Sequence, residues 1–101
     1  MDEKIIRIRQ RDRELFAALD PYDRLSFLSL PGAFGLGTLI TETDGVRASG
    51  LLIGQTEEDT IHILWLGVDT ELQGLGIGER LLIKVRDMGY KGDIERLDAV
   101  V

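Results

Sequence analysis

Apolar positions along the chain repeat with two periods, and the switches between them mark the elements. Residues 4–9 set Ile6 and Ile8 against Arg7 and Arg9, an alternation that predicts a first strand. Asp12 precedes Leu15, Phe16 and Leu19, which share one face of a short helix, and Asp12 is read as its cap. Asp20-Pro21 is a second start signal, an N-cap followed by proline at the first helical position. That helix carries Leu25 and Leu28 and stops before Pro31-Gly32. Period two returns at Leu36, Thr38 and Ile40, and again at Val46, Ala48, Gly50 and Leu52. Asp44-Gly45 lies between these runs and predicts a tight type I′ hairpin, which needs positive φ at both central residues. Residues 55–59 read as a polar, acidic loop.

Residues 60–68 are almost continuously apolar, as in a central strand covered on both faces. Residues 78–88 return to helical period: Ile77, Leu81, Val85 and Met88 form one stripe, with Arg80, Lys84 and Asp87 elsewhere, and Gly89 is placed to end it. Residues 94–101 read as a further strand. Antiparallel strands followed by a strand-loop-helix-strand crossover predict a mixed α/β sheet, mostly antiparallel, with helices on its faces.

Composition narrows the function classes. The chain has 101 residues, enough for one domain (1–101) with a small core. A net charge of −6 argues against general nucleic-acid binding, which needs surplus Lys and Arg. Arg7, Arg9, Arg11 and Arg13 cluster near the N-terminus without interleaved aromatics, and read as a solvated face. The negative balance is compatible with a cationic amine substrate. With no cysteine there is no disulfide, thiolate metal site or thiol nucleophile. No run reaches membrane-spanning length and the N-terminus is unlike a signal peptide, so the expected location is the cytoplasm.

The chemistry-bearing stretch is residues 68–78, Val-Asp-Thr-Glu-Leu-Gln-Gly-Leu-Gly-Ile-Gly, between the apolar strand and the amphipathic helix. A strand, a glycine-rich turn and a helix start converge backbone N–H groups and the positive end of the helix dipole on one point, as a phosphate requires. A dinucleotide fingerprint fails, because its third glycine slot counted from Gly74 is Glu79. A Walker A loop fails for want of Gly-Lys-Ser/Thr. A plain flexible turn stays open from the loop alone. Gln73, Gly76 and Gly78 fit the pattern Gln/Arg, two residues, Gly, one residue, Gly/Ala. In this the loop resembles the acyl-CoA loop of the GCN5-related N-acetyltransferase (GNAT) superfamily, and the resemblance runs from the first strand to the fifth.

The resemblance implies a pyrophosphate of acetyl-CoA on the backbone amides of Gln73, Gly74, Leu75, Gly76, Ile77, Gly78 and Glu79. It implies a pantetheine arm lying as a pseudo-strand beside Leu66, Gly67 and Val68, where the strand splays from its neighbour. Gly67 fits a bulge there. Leu75 departs from the many members with Lys or Arg at that place, which removes a supplementary charge and leaves the amide cradle. No metal is implied.

His62, the only histidine, interrupts the apolar strand. In the resembling family this position often holds the general base, Glu in histone acetyltransferases and His in serotonin N-acetyltransferase. An imidazole, with a reference pKa of about 6.5, suits removal of a proton from an ammonium substrate. A structural histidine satisfied by a neighbouring backbone group is the competing reading. Strand alternation places His62 on the side of Leu64, Leu66 and Val68. Trp65 and Phe34 are core residues or the lining of an acceptor pocket. Glu57, Glu58 and Asp59 read as a solvated loop rather than a metal or cation site. Tyr22 falls in a region that borders the acceptor site in the family.

The family continues beyond its fifth strand with a fourth helix, carrying the Tyr that protonates the leaving thiolate, and with strands six and seven. The sequence ends at Val101, and Tyr90 is not that residue because it follows the third helix. A longer parent protein, complementation by another chain and a degenerate CoA-binding remnant remain open; an open strand edge leads us to expect a homo-oligomer. The expected function is acetyl-CoA-dependent N-acetyl transfer to a primary amine of a small molecule or peptide. A non-catalytic CoA-binding or protein-interaction module is the alternative.

Overall fold

A computed structural model describes residues 3–91 and 96–99 of the chain. Five strands make one sheet in sequence order: β1 Glu3–Arg7, β2 Ala33–Glu42, β3 Gly45–Glu57, β4 Thr60–Val68 and β5 Arg96–Ala99. Neighbours among the first four strands are antiparallel, and β5 is parallel to β4. A parallel neighbour needs a crossover connection, here containing α2 (Ile77–Lys91). The other helical segment, α1 (Arg13–Phe16) with 3₁₀ turns, lies between β1 and β2. The mixed, mostly antiparallel α/β sheet expected from the sequence is the fold observed.

The core has two layers, one on each face of the sheet. On one face Leu36, Leu52, Ile61 and Ile63 meet Ile77, Leu81 and Val85 of α2. On the other, Leu51 and Ile53 meet Ile8, Phe16 and Leu25, with Leu64 and Trp65 packed against them. Leu51, Leu52 and Ile53 are each 0 % exposed, so β3 is covered on both sides. Phe34 belongs to the α2-side core and also borders a cleft of about 310 Å³ with Arg7, Thr56 and Met88.

Several local expectations are corrected. The second helix does not begin at Pro21. Asp23 sits at φ 52, outside the helical region, and a 3₁₀ segment follows at Arg24–Ser29. Asp20 still caps, accepting from the N–H groups of Arg24 (2.6 Å) and Leu25 (2.9 Å). Asp12 makes no cap to α1; its carboxylate accepts from Arg9 N–H at 2.8 Å. The β2–β3 hairpin forms where expected, but Glu42 pairs with Gly45, and only Gly45 has positive φ (131°). The turn is therefore not type I′. Residues 55–57 continue β3 instead of starting a loop, and α2 runs through Gly89. For the last strand, β5 covers Arg96–Ala99, and the rest of the expected 94–101 lies outside the described residues.

Two bulges shape the end of the sheet that bears the loop. Thr38 and Leu39 face Gly50 and Ala48, which leaves Ser49 as the extra residue of β3. Its hydroxyl lies 2.6 Å from that of Thr38, and its carbonyl accepts from Asp69 N–H at 2.9 Å. Ile53 and Gly54 face Trp65 and Ile63, which leaves Leu64 as the extra residue of β4. The β4 bulge is thus at Leu64, not Gly67.

Candidate functional site

The turn after β4 is built by one aspartate and one arginine. Asp69 accepts from Glu71 N–H at 3.0 Å and so caps the 3₁₀ turn Thr70–Leu72. Arg47 of β3 donates to the other oxygen of Asp69 from Nε (3.0 Å) and Nη2 (2.6 Å), and to Glu71 at 2.8 Å. The Arg47 guanidinium, followed by the Glu71 N–H, holds the Asp69 carboxyl below the usual aspartate range. Hydrogen bonds from Arg47 to Asp69 and then Glu71 raise the guanidinium's own pKa. The start of the loop is therefore fixed to the β2–β3 hairpin.

Beyond Leu72 the backbone turns through Gly74 (φ 89) and Gly76 (φ 78), conformations that cost an L side chain about 1–2 kcal/mol. α2 opens at Ile77, and the Gly76 carbonyl accepts from Arg80 N–H at 3.0 Å. A helix start leaves its first N–H groups without intrahelical partners, here those of Ile77, Gly78 and Glu79. Leu66, Val68, Leu72, Gln73, Gly74, Gly76, Ile77 and Gly78 line one open cleft of about 520 Å³. Most of the residues expected for a pyrophosphate are thus brought together. Leu75 and Glu79 are exposed and outside the lining.

Arg80 ties the loop to β1. Its Nη1 donates to the Leu75 carbonyl at 2.7 Å, and its Nε donates to Glu3 of β1 at 3.0 Å. The bond to Glu3 is the main cause of its raised pKa. Sequence reading missed Arg80, Glu3 and Arg47. Their partners lie far along the chain, and no local spacing announces them. Asp69-Thr70-Glu71 did carry a cap signal.

Among the described residues, β4 pairs with β5 over residues 60–63, and residues 65–68 pair with β3 and with no described strand on their other edge. This edge runs beside the cleft and suits an extended, amide-bearing ligand arm.

The Leu64 bulge also corrects the placing of His62. Ile61 and Ile63 face α2, as do Leu66 and Val68 further on. His62 points to the opposite face, with Leu64, Trp65 and Gly67, and not with Leu66 and Val68. Its side chain is 28 % exposed, and Nε2 lies 3.5 Å from Glu57. It lines neither the loop cleft nor a second cleft of about 360 Å³ on its own face. Trp65, Gly67 and Asp69 border that second cleft with Leu19 and Pro21. Gly67 thus faces the second cleft and Leu66 the first, while Val68 borders both. No group of three or more metal-ligating side chains occurs among the described residues. No described helix is long and apolar enough to cross a membrane.

Comparison with known proteins agrees with this geometry. A ribosomal-protein-S18-alanine N-acetyltransferase from Escherichia coli superposes with TM-score 0.78 at 17 % identity, over 95 % of this chain and 64 % of that one. A PaiA N-acetyltransferase from Thermoplasma acidophilum, in complex with coenzyme A, gives 0.78 at 15 % identity, over 100 % and 80 %. An aminoglycoside acetyltransferase from an uncultured soil metagenomic sample gives 0.74 at 19 % identity, over 98 % and 77 %. At these identities the likeness establishes the fold. No curated protein matches. The family model of the GNAT acetyltransferases matches residues 3–101, and the chain belongs to that family.

Proposed function

We propose that this chain binds acetyl-CoA and transfers its acetyl group to a primary amine. The observation that carries the reading is the cradle at the start of α2, where positive-φ glycines and unpaired helix-start amides line one cleft. Side-chain-free backbone at Gly74 and Gly76 lets phosphate oxygens approach N–H groups. Arg80 braces the cradle from outside its lining, with two of its five N–H donors on Glu3 and one on the Leu75 carbonyl. The open edge of residues 64–68 would pair with the pantetheine amides, and an N–H among residues 66–68 would polarise the thioester carbonyl.

The bound thioester supplies an acyl carbon activated toward a free amine. The chain's part is to deliver that amine unprotonated and close to it. His62, which lines neither cleft, would take the proton of the ammonium group through intervening water. The acceptor nitrogen then bonds to the acyl carbon as the carbon–sulfur bond breaks, CoA departs as the thiolate, and the proton shed by the nitrogen passes through solvent to that thiolate.

Gly76→Asp tests the cradle. Aspartate tolerates positive φ better than most residues, so the fold is retained while a carboxylate enters the phosphate site. Losing one charge-assisted hydrogen bond costs about 1.5–3 kcal/mol, so calorimetry should show CoA binding weakened at least about tenfold. Unchanged affinity in a folded variant would refute the cradle. Saturable CoA binding without turnover on a broad amine panel would leave a binding module instead of an enzyme.

A further inference from the structure

A cation stands beside the second cleft, at its Trp65 border and outside its lining. Arg24 stands over three rings, its guanidinium carbon 5.6 Å from the centroid of Tyr22, 5.6 Å from Phe27 and 5.8 Å from Trp65. Trp65 lines the cleft, and its Nε1–H is locked onto the Leu19 carbonyl at 2.9 Å. Tyr22 packs edge-on against Trp65 at 5.8 Å and is 68 % exposed, so an aromatic surface is offered to solvent.

Arg24 forms no ion pair among the described residues, whereas the carboxylates around it are already engaged. Asp20 accepts the backbone N–H groups of Arg24 and Leu25, Asp23 is bound by Arg13, and Asp69 is bound by Arg47. Arg24 is therefore a cation without a side-chain counter-ion among the described residues at the Trp65 border of the cleft, although Asp20 and the lining residue Asp69 carry negative charge nearby. Stacking orients a guanidinium without using its in-plane N–H donors, which match the two oxygens of a carboxylate.

We propose that the acceptor is a small amine that also carries a carboxylate and an aromatic body, with Arg24 as the residue that selects it. The carboxylate pairs with Arg24, the ring lies on Trp65 and Tyr22, and the amine is directed into the cleft. The proposal rests on the acyltransferase reading above, and it reverses the expectation that overall negative charge selects a cationic acceptor.

Trp65 is the only tryptophan of the chain, so its fluorescence reports this cleft directly and without turnover. In the presence of saturating CoA, L-phenylalanine is titrated against phenethylamine, which has the same ring and amine but no carboxylate, and against spermidine. The expected result is a saturable change with phenylalanine at a concentration at least about tenfold below that for either other amine, the worth of one charge-assisted hydrogen bond. Arg24→Gln should abolish that preference while CoA affinity, measured by calorimetry, stays unchanged. No saturable change with phenylalanine, equal affinity for phenethylamine or spermidine, or a preference that survives in Arg24→Gln overturns the proposal. The wild-type ligand comparison decides even where the variant fails to fold. Absence of CoA binding by calorimetry would instead sink the acyltransferase reading itself.

Discussion

His62 shows how much one residue's role depends on parity. Alternation read along β4 puts it with Leu66 and Val68, but the extra residue Leu64 moves it to the face of Trp65 and the second cleft. A single inserted residue inverts every assignment across it, and nothing in the composition of β4 marks Leu64 as the bulge. If His62 is the base, His62→Ala should lower kcat with CoA affinity nearly constant, and the fall in rate on the acid side of the pH profile should disappear. A joint loss of CoA binding and thermal stability would make the histidine structural. The cradle glycines were legible because their requirement is local: Gly74 and Gly76 adopt positive φ where the motif needs them. Arg80 was not, because its partner Glu3 is 77 residues away.

At the scale of elements, the turn after β4 depends on what β3 presents to it. Ser49, extruded by its bulge, accepts from Asp69 N–H, and Arg47 grips the Asp69 carboxylate. Because Asp69 is held below its ordinary pKa, its stabilising contribution is complete above about pH 3.9 and is lost as pH falls toward the lowered folded value. Asp69→Asn keeps the cap acceptor and removes the charge. Its melting temperature should lie below that of the wild type at pH 7, and the gap should narrow as pH falls below about 3.9. A gap that does not change with pH would contradict the clamp. Gly50→Ala probes the other support of the loop. A Cβ there would stand 2.7 Å from Ile77 and 2.8 Å from Thr38, so the first turn of α2 must move. Overpacking of this kind costs about 1–3 kcal/mol, seen as a lowered denaturation midpoint, and CoA affinity should fall with it. An unchanged midpoint would show that the first turn yields freely. The strands and α2 were legible because long periodic runs dominate their placement. The segment before β2 was not, because Asp23 at φ 52 breaks the helix implied by its leucines.

At the scale of the whole molecule, one strand separates two clefts. Leu66 and Val68 of β4 face the glycine loop and α2, while Trp65 and Gly67 face the N-terminal helical segment. An acyl donor bound along the open edge of residues 64–68 would reach an acceptor held on the opposite face, and this requires the edge to be free of a strand partner there. The order of elements could be read from the sequence. The presence of two clefts could not, since it follows from the bulge at Leu64. The central claim is that the start of α2 and this edge together hold CoA. Amide chemical-shift mapping of the labelled protein on titration with CoA tests it most directly. The account predicts the largest, saturable shifts at Gln73, Gly74, Gly76, Ile77, Gly78 and Glu79, with a second set at residues 64–68. Saturable shifts confined to other parts of the sheet, or none at all, would contradict it.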